Sequence, residues 1–289
     1  MTREDEPLQP VTPQGDVLHS ADAVGAAALP PLITLTTDFG EGSPYVAQMK
    51  GVILSINPAA RIVDISHAVP PQDIRRGAQV LAEATPLFPP GTLHVAVVDP
   101  GVGSVRELLY AEFGDQRYLA PDNGLLSGLA LRANPSTIIA IENRQHWRPD
   151  VSATFHGRDI LAPVAAHLSL GLAPVALGSP RTEFRKLQWP EARIVANQIE
   201  GEVVSIDSFG NLITNITAEM LERVPDPNSA TIRCDEHETI GIFRTYADQP
   251  PMTLIALVGS SGQLELAIVD DSAKLMLGCR EGERVIVAW

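Results

Sequence analysis

Leu93-His94-Val95-Ala96-Val97-Val98-Asp99-Pro100-Gly101 is an apolar run that ends in a carboxylate and a Pro-Gly turn. It reads as a buried strand carrying a charged side chain to the end of a sheet. Upstream, Leu32–Thr37 is a second β-branched run, closed by Asp38-Phe39-Gly40. Ser43-Pro44 then supplies an N-cap and a proline at the first helical position, and Val46, Met49, Ile53 and Ile56 keep helical spacing until Asn57-Pro58. Arg61–Ser66 is a further strand. Pro70-Pro71 is expected to open a second helix, with Ile74, Ala78 and Leu81 on one face and an end near Pro86. Strand, helix, strand, helix, strand with short links predicts a mainly parallel sheet with right-handed crossovers. Ligands in such sheets sit beyond the carboxyl ends of the strands, where Asp38, His67 and Asp99 fall.

Downstream, residues 108–113 and 117–120 read as a hairpin across Gly114-Asp115, and residues 137–142 as another strand. Thr154-Phe155-His156-Gly157-Arg158-Asp159 precedes a helix with Ile160, Val164 and Leu168 on one face, stopped by Gly171. Helical spacing then disappears. Residues 202–207, 212–216, 230–234, 239–244, 252–258, 264–269 and 284–288 are short β-like runs divided by turn signals. The expected organisation is an N-terminal extension over residues 1–29, an α/β domain over 30–180, a linker over 181–195, and a smaller all-β, barrel-like domain over 196–289.

The 289 residues are 45% hydrophobic and only 5% aromatic, so the core must rest on aliphatic side chains. A formal charge of −14 disfavours nucleic acid and anionic membrane as partners. Cys234 and Cys279 are too few for a disulfide framework and lack metal-ligand spacing. No apolar run reaches the ~18 residues that span a bilayer, and the acidic start lacks a signal-peptide pattern, so the expected location is the cytoplasm.

The glycine-rich 101–106 stretch is not a dinucleotide fingerprint, because Arg106 stands where the third glycine belongs, and it lacks the Gly-Lys-Ser/Thr of a P-loop. Neither a Gly-x-Ser-x-Gly elbow nor paired-histidine zinc spacing occurs. What remains are polar clusters at strand ends: Asp38, Asp99 with Arg106, Asp122-Asn123, His156 with Arg158-Asp159, and Asp207 with Asn211. Singly, each has a structural reading: an ion pair for Asp99 and Arg106, a turn for Asp122-Asn123, a helix cap for Asp159. Together, gathered on one rim, they point to a site.

Thr36-Thr37-Asp38-Phe39-Gly40, Asp99-Pro100-Gly101-Val102-Gly103, Ala120-Pro121-Asp122-Asn123-Gly124, Phe155-His156-Gly157-Arg158-Asp159 and Asp207-Ser208-Phe209-Gly210-Asn211 occur in the order found in S-adenosyl-L-methionine hydroxide adenosyltransferases. The chain resembles that family from about Leu32 to its C-terminus. The resemblance implies a hydrolase that forms adenosine and L-methionine from S-adenosyl-L-methionine, by attack of activated water on the ribose 5′ carbon. It implies no cofactor and no metal, since S-adenosyl-L-methionine is the substrate, and a homotrimer with sites between subunits. Asp99, Arg106 and His156 match the water-activating set. Asp38 and Phe39, and from the C-terminal domain Asp207, Phe209, Asn211, Ser260, Ser261 and Glu265, match substrate-binding positions. In the halogenating relatives tyrosine replaces the aspartate, and Tyr-Ser the His-Gly pair; here Asp99, His156 and Gly157 favour water over halide. Val269-Asp270-Asp271 departs from the family's Asn-x-Gly, which bears on the adenine contacts. Two readings compete with hydrolysis: a metal-dependent phosphoesterase using Asp38, Asp99, Asp122, Asn123 and His156, and a non-catalytic adenosine or S-adenosyl-L-methionine binding protein.

Overall fold

The computed structural model describes residues 32–289. The expected extension over residues 1–29 lies outside them. Six strands form the first sheet: β1 (Leu32–Thr37), β2 (Arg61–Ser66), β3 (Leu93–Val97), β4 (Leu108–Phe113), β5 (Gln116–Pro121) and β6 (Thr137–Ala140). Their order is β2-β1-β3-β5-β4-β6; β1, β2, β3 and β5 run parallel, and β4 is antiparallel to both neighbours.

Both faces of this sheet are covered, which explains why β1 and β3 are buried nearly end to end rather than on alternate residues. Leu93, Val95 and Val97 face α1 (Pro44–Ile56), while the intervening Ala96, with Val98 just beyond the strand, packs with Leu81 of α2 (Ile74–Ala84). The short α3 (Ser127–Ala130) joins α2, and α4 (Ala162–Ser169) joins α1. Ser43 and Pro44 begin α1 as expected, although the Ser43 hydroxyl makes no capping bond. Gly171 follows the C-terminus of α4 with a φ of 96°.

Helix α2 departs from expectation. It begins at Ile74, not at Pro70-Pro71, and Asp73 caps it by accepting from the Arg76 N–H at 2.9 Å. The prolines instead lead into a turn at Gln72, whose positive φ of 66° aims its N–H at Asp38. The segment between β2 and α2 is thereby spent on the rim of the site.

The second sheet has nine strands: β7 (Arg193–Val195), β8 (Gln198–Ile206), β9 (Leu212–Thr217), β10 (Thr231–Cys234), β11 (His237–Ile240), β12 (Ile242–Phe243), β13 (Leu254–Val258), β14 (Gln263–Ile268) and β15 (Arg284–Ala288). The path β11-β10-β15-β8-β9-β14-β13-β12 bends almost into a barrel, with Thr239 of β11 donating to the Leu254 carbonyl of β13 at 2.8 Å. The expected strand over 239–244 is cut by Gly241, at φ 91°, so that β11 and β12 serve opposite ends of the path. β7 pairs with β8, so Arg193–Val195 are sheet residues rather than the end of a linker. Small helices α5 (Ala218–Leu221) and α6 (Ala273–Leu277) pack on β9 and β14. Cys234 and Cys279 are free, buried, and 3.7 Å apart at sulfur. Among the described residues no helix is long and apolar enough to cross a membrane.

Candidate active site

Beyond the end of β3 the chain makes two tight turns, Val102 N–H to the Asp99 carbonyl at 3.2 Å and Ser104 N–H to the Gly101 carbonyl at 3.1 Å. These fold Arg106 back onto Asp99. The guanidinium grips the carboxylate from Nε at 2.7 and 2.9 Å and from Nη2 as well, a charge-assisted fork with both side chains under a tenth exposed. The same Nη2 reaches Nδ1 of His156 at 3.0 Å. Three side chains that the sequence spaces over 57 residues thus form one linked set, with Arg106 in the middle.

His156 stands just before a single π turn, Gly157–Leu161, that leads into α4. Such turns recur at functional sites. Its loop is fastened by Asp159, which is fully buried and is not a helix cap: Arg148, Arg158 and the Ser152 N–H all donate to its carboxylate at 2.6–2.9 Å. Burial works to raise its pKa, but those donors prevail and hold it at about 2. The two loops meet at Gly103, whose φ is 80° and whose missing Cβ would lie 2.4 Å from the Ala153 carbonyl oxygen. Gly103→Ala therefore carries a left-handed backbone penalty of about 1–2 kcal/mol and must also push the loops apart. A displacement near 1 Å can cost about 10²-fold in rate. The expected result is a lowered denaturation midpoint and a kcat loss of that order, measured by urea unfolding and steady-state kinetics.

Burial, then the positive charge of Arg106, keep the His156 pKa below its usual 6.5, with Asp99 and Asp159 opposing. Arg106 can only donate, so Nδ1 accepts, and the neutral ring carries its hydrogen on Nε2. Protonating Nδ1 would break that bond. Because the folded-state pKa is depressed, the working form is fully present above 6.5 and is lost as pH falls through the lower value. The pH profile of kcat/KM should be level through neutrality and fall on the acid side with an inflection below 6.5, in buffers where the protein remains folded.

Asp99 and His156 border a hollow of about 270 Å³, lined also by Asp38, Phe39, Phe155 and Gly157 among others, with Arg106 behind them. Asp38 accepts from Gln72 N–H at 2.7 Å. Phe39, Tyr45 and Phe155 pack edge to face, with ring centroids 5.3–5.7 Å apart. Asp122 and Asn123 do not line this hollow. Asp122 accepts from Arg185 N–H, while Asn123 donates to the Val98 carbonyl and accepts from Leu125 N–H, the turn-making role.

A second hollow of about 890 Å³ lies on the β unit and takes in Asp207, Phe209, Asn211, Ser260 and Glu265. Asp207 accepts from the N–H groups of Phe209 and Asn211 at 2.9 Å and from the Asn211 side chain at 3.0 Å. Tyr246, which no motif marked, completes the cluster by donating to Glu265 at 2.8 Å. Burial, together with the charge of Asp207, pushes the Glu265 carboxyl up despite the Tyr246 bond. The only cue to this segment in the sequence is Thr245-x-x-Asp248, which forms a capping box around Tyr246. Asp270 and Asp271 also line the hollow, with Asp270 in the left-handed region at φ 59°, where aspartate is better tolerated than most side chains. Ser261 does not join: it lines a separate hollow with Gln79, Trp189 and Val204. Nor do the first two hollows share any lining residue.

Residues 33–178 match the family described as SAM hydroxide adenosyltransferase N-terminal domain, and residues 201–286 its C-terminal domain. The chain belongs to the SAM hydroxide adenosyltransferase family. It is 39% identical over 261 residues to an (R)-S-adenosyl-L-methionine hydrolase of Salinispora tropica, covering 89% of this chain and 97% of that one. A fluorinase of Nocardia brasiliensis is 28% identical over 269 residues, with 82% and 90% covered. The fold matches a solved structure of an uncharacterized conserved protein from Thermotoga maritima at a TM-score of 0.85 and 35% identity, covering 89% of this chain and all of that one. The two matched domains coincide with the α/β and β units.

Proposed function

We propose that the protein hydrolyses S-adenosyl-L-methionine to adenosine and L-methionine, with Asp99, Arg106 and His156 preparing the water that attacks the ribose 5′ carbon. The observation that carries this is Arg106 joining the Asp99 carboxylate to the His156 imidazole, two side chains that line one hollow. Water supplies the oxygen of the new carbon–oxygen bond. The carbon–sulfur pair leaves on sulfur, giving a neutral thioether that needs no acid, and one proton is released. The chemical task is therefore confined to the nucleophile. Arg106 and the Nε2–H of His156 are donors, which suits them to hold a developing hydroxide. Hydroxide and sulfonium neutralise each other in the transition state, a change favoured where bulk water is excluded.

Gly157 favours water over halide. A Cβ there would sit 3.2 Å from both Val97 methyls and 3.4 Å from the Met49 sulfur, so the halide-contacting serine of the halogenating relatives has little room. The phosphoesterase reading loses support because Asp122 is turned to Arg185 and both Asp99 oxygens are engaged by Arg106.

The division of the binding residues supports a homotrimer with each site shared by two subunits. At about 270 Å³ the first hollow is below the ~300–1,000 Å³ usual for small-molecule sites and needs a second wall. Phe209, 78% exposed on the other hollow, is suited to provide part of one. The relatives' name specifies (R), which describes the sulfonium centre because L already fixes the α-carbon; the same epimer is proposed here. Incubating the purified protein with each sulfonium epimer separately should yield equimolar adenosine and methionine from (R) and little from (S). Absence of adenosine from both would overturn the assignment.

A further inference from the structure

On the far side of Arg106 and His156 lies a third feature, a small hollow of about 130 Å³ bounded by Ser104, Arg106, Glu107, Glu142, Trp147 and His156, with apolar walls from β4, β6 and Ile160. His156 lines both this rear hollow and the front one that contains Asp38 and Asp99. We propose that the rear hollow is the water inlet and proton outlet of the reaction, with Trp147 positioning the water file and the net negative charge of Glu107 and Glu142 drawing the proton along it to solvent at its mouth.

This rests on the hydrolase reading, in which every turnover consumes one water and releases one proton while the substrate occupies the front hollow. A front route is then blocked by the substrate itself. The rear hollow has room for about four waters at ~30 Å³ each. Trp147 lines it, and its indole N–H is buried without an acceptor among the described residues, a costly arrangement unless water accepts that bond. Arg144 lies over the same indole, 5.5 Å from the ring centroid, and helps fix it.

At the mouth, Glu107 and Glu142 share one cation: Arg181 donates to Glu107 at 2.5 and 2.9 Å and to Glu142 at 2.8 Å. Two carboxylates against one guanidinium leave a net negative charge at the solvent end, nearly half exposed on each glutamate. The proton balance also needs such an outlet. With Nδ1 accepting from Arg106, the neutral His156 already carries its hydrogen on Nε2, and both Asp99 oxygens accept from Arg106, so neither is a free resting place for the proton.

Two variants test the idea through the solvent deuterium isotope effect on kcat, which a purely structural residue would not alter. Trp147→Phe keeps the aromatic bulk and removes the N–H. Glu107→Gln with Glu142→Gln removes the mouth charge at exposed positions. Each should lower kcat about tenfold, less than the ~10²–10⁴-fold of a group that transfers the proton directly, raise the isotope effect, and leave adenosine binding by calorimetry unchanged. Wild-type kcat and isotope effect in both variants would overturn the inlet alone, whereas an unmodified protein that forms no adenosine would overturn the hydrolase reading and the inlet together. If only Trp147→Phe fails to fold, the glutamine pair still decides.

Discussion

Asp99→Asn should lower kcat by about 10²–10³-fold, the range for losing one preorganised electrostatic partner, while KM moves much less. The substitution keeps the shape and one acceptor oxygen but removes the charge that faces Arg106, a pair with both members under a tenth exposed. Breaking such a buried pair costs about 3–5 kcal/mol when one partner is deleted, and asparagine, still an acceptor, should stay at or below that range. The electrostatic consequence reaches His156. Asp99 raises the imidazole pKa and Arg106 lowers it, so the variant has a still lower pKa and an acid limb displaced further down. Steady-state rates with denaturant unfolding separate the two effects: a folded protein with wild-type kcat would mean that Asp99 only braces the loop.

The second large effect concerns the division of the site. If the Asp99 hollow of one subunit faces the Asn211 hollow of its neighbour, Asp99→Asn and Asn211→Ala impair different halves. Coexpressing the two variant chains with distinct tags and purifying mixed assemblies should restore about a third of the activity, because in a mixed ring of three one site in three joins the unaltered half of one chain to the unaltered half of the other. Light scattering on the same material should return three chains. Mixed assemblies as inactive as their parents would place each complete site within one subunit.

Much of this was legible before the fold was known. Period and turn signals located β1, β2 and β3, and their ends carried Asp38, His67 and Asp99, because a parallel sheet must present its carboxyl ends together. Arg106 was readable from its place in the Asp99 loop. Other features depend on side-chain direction within short turns, which composition does not encode. Ser260 and Ser261 are adjacent, yet one faces the β-unit hollow and the other a separate one. Gln72 contributes only a backbone N–H, made available by a positive φ in a segment that two prolines had marked as the start of a helix. Tyr246 sits in a loop without period and reaches Glu265 across 19 positions. Cys234 on β10 and Cys279, in the segment leading into β15, meet across 45 positions.

The central claim is that water, held by Arg106 and His156, attacks the ribose 5′ carbon. Turnover in oxygen-18 water with mass analysis of both products tests it most directly. One labelled oxygen in adenosine and none in methionine is the predicted result. Unlabelled adenosine, or 5′-methylthioadenosine with the label in homoserine, would place the broken bond elsewhere and contradict the account.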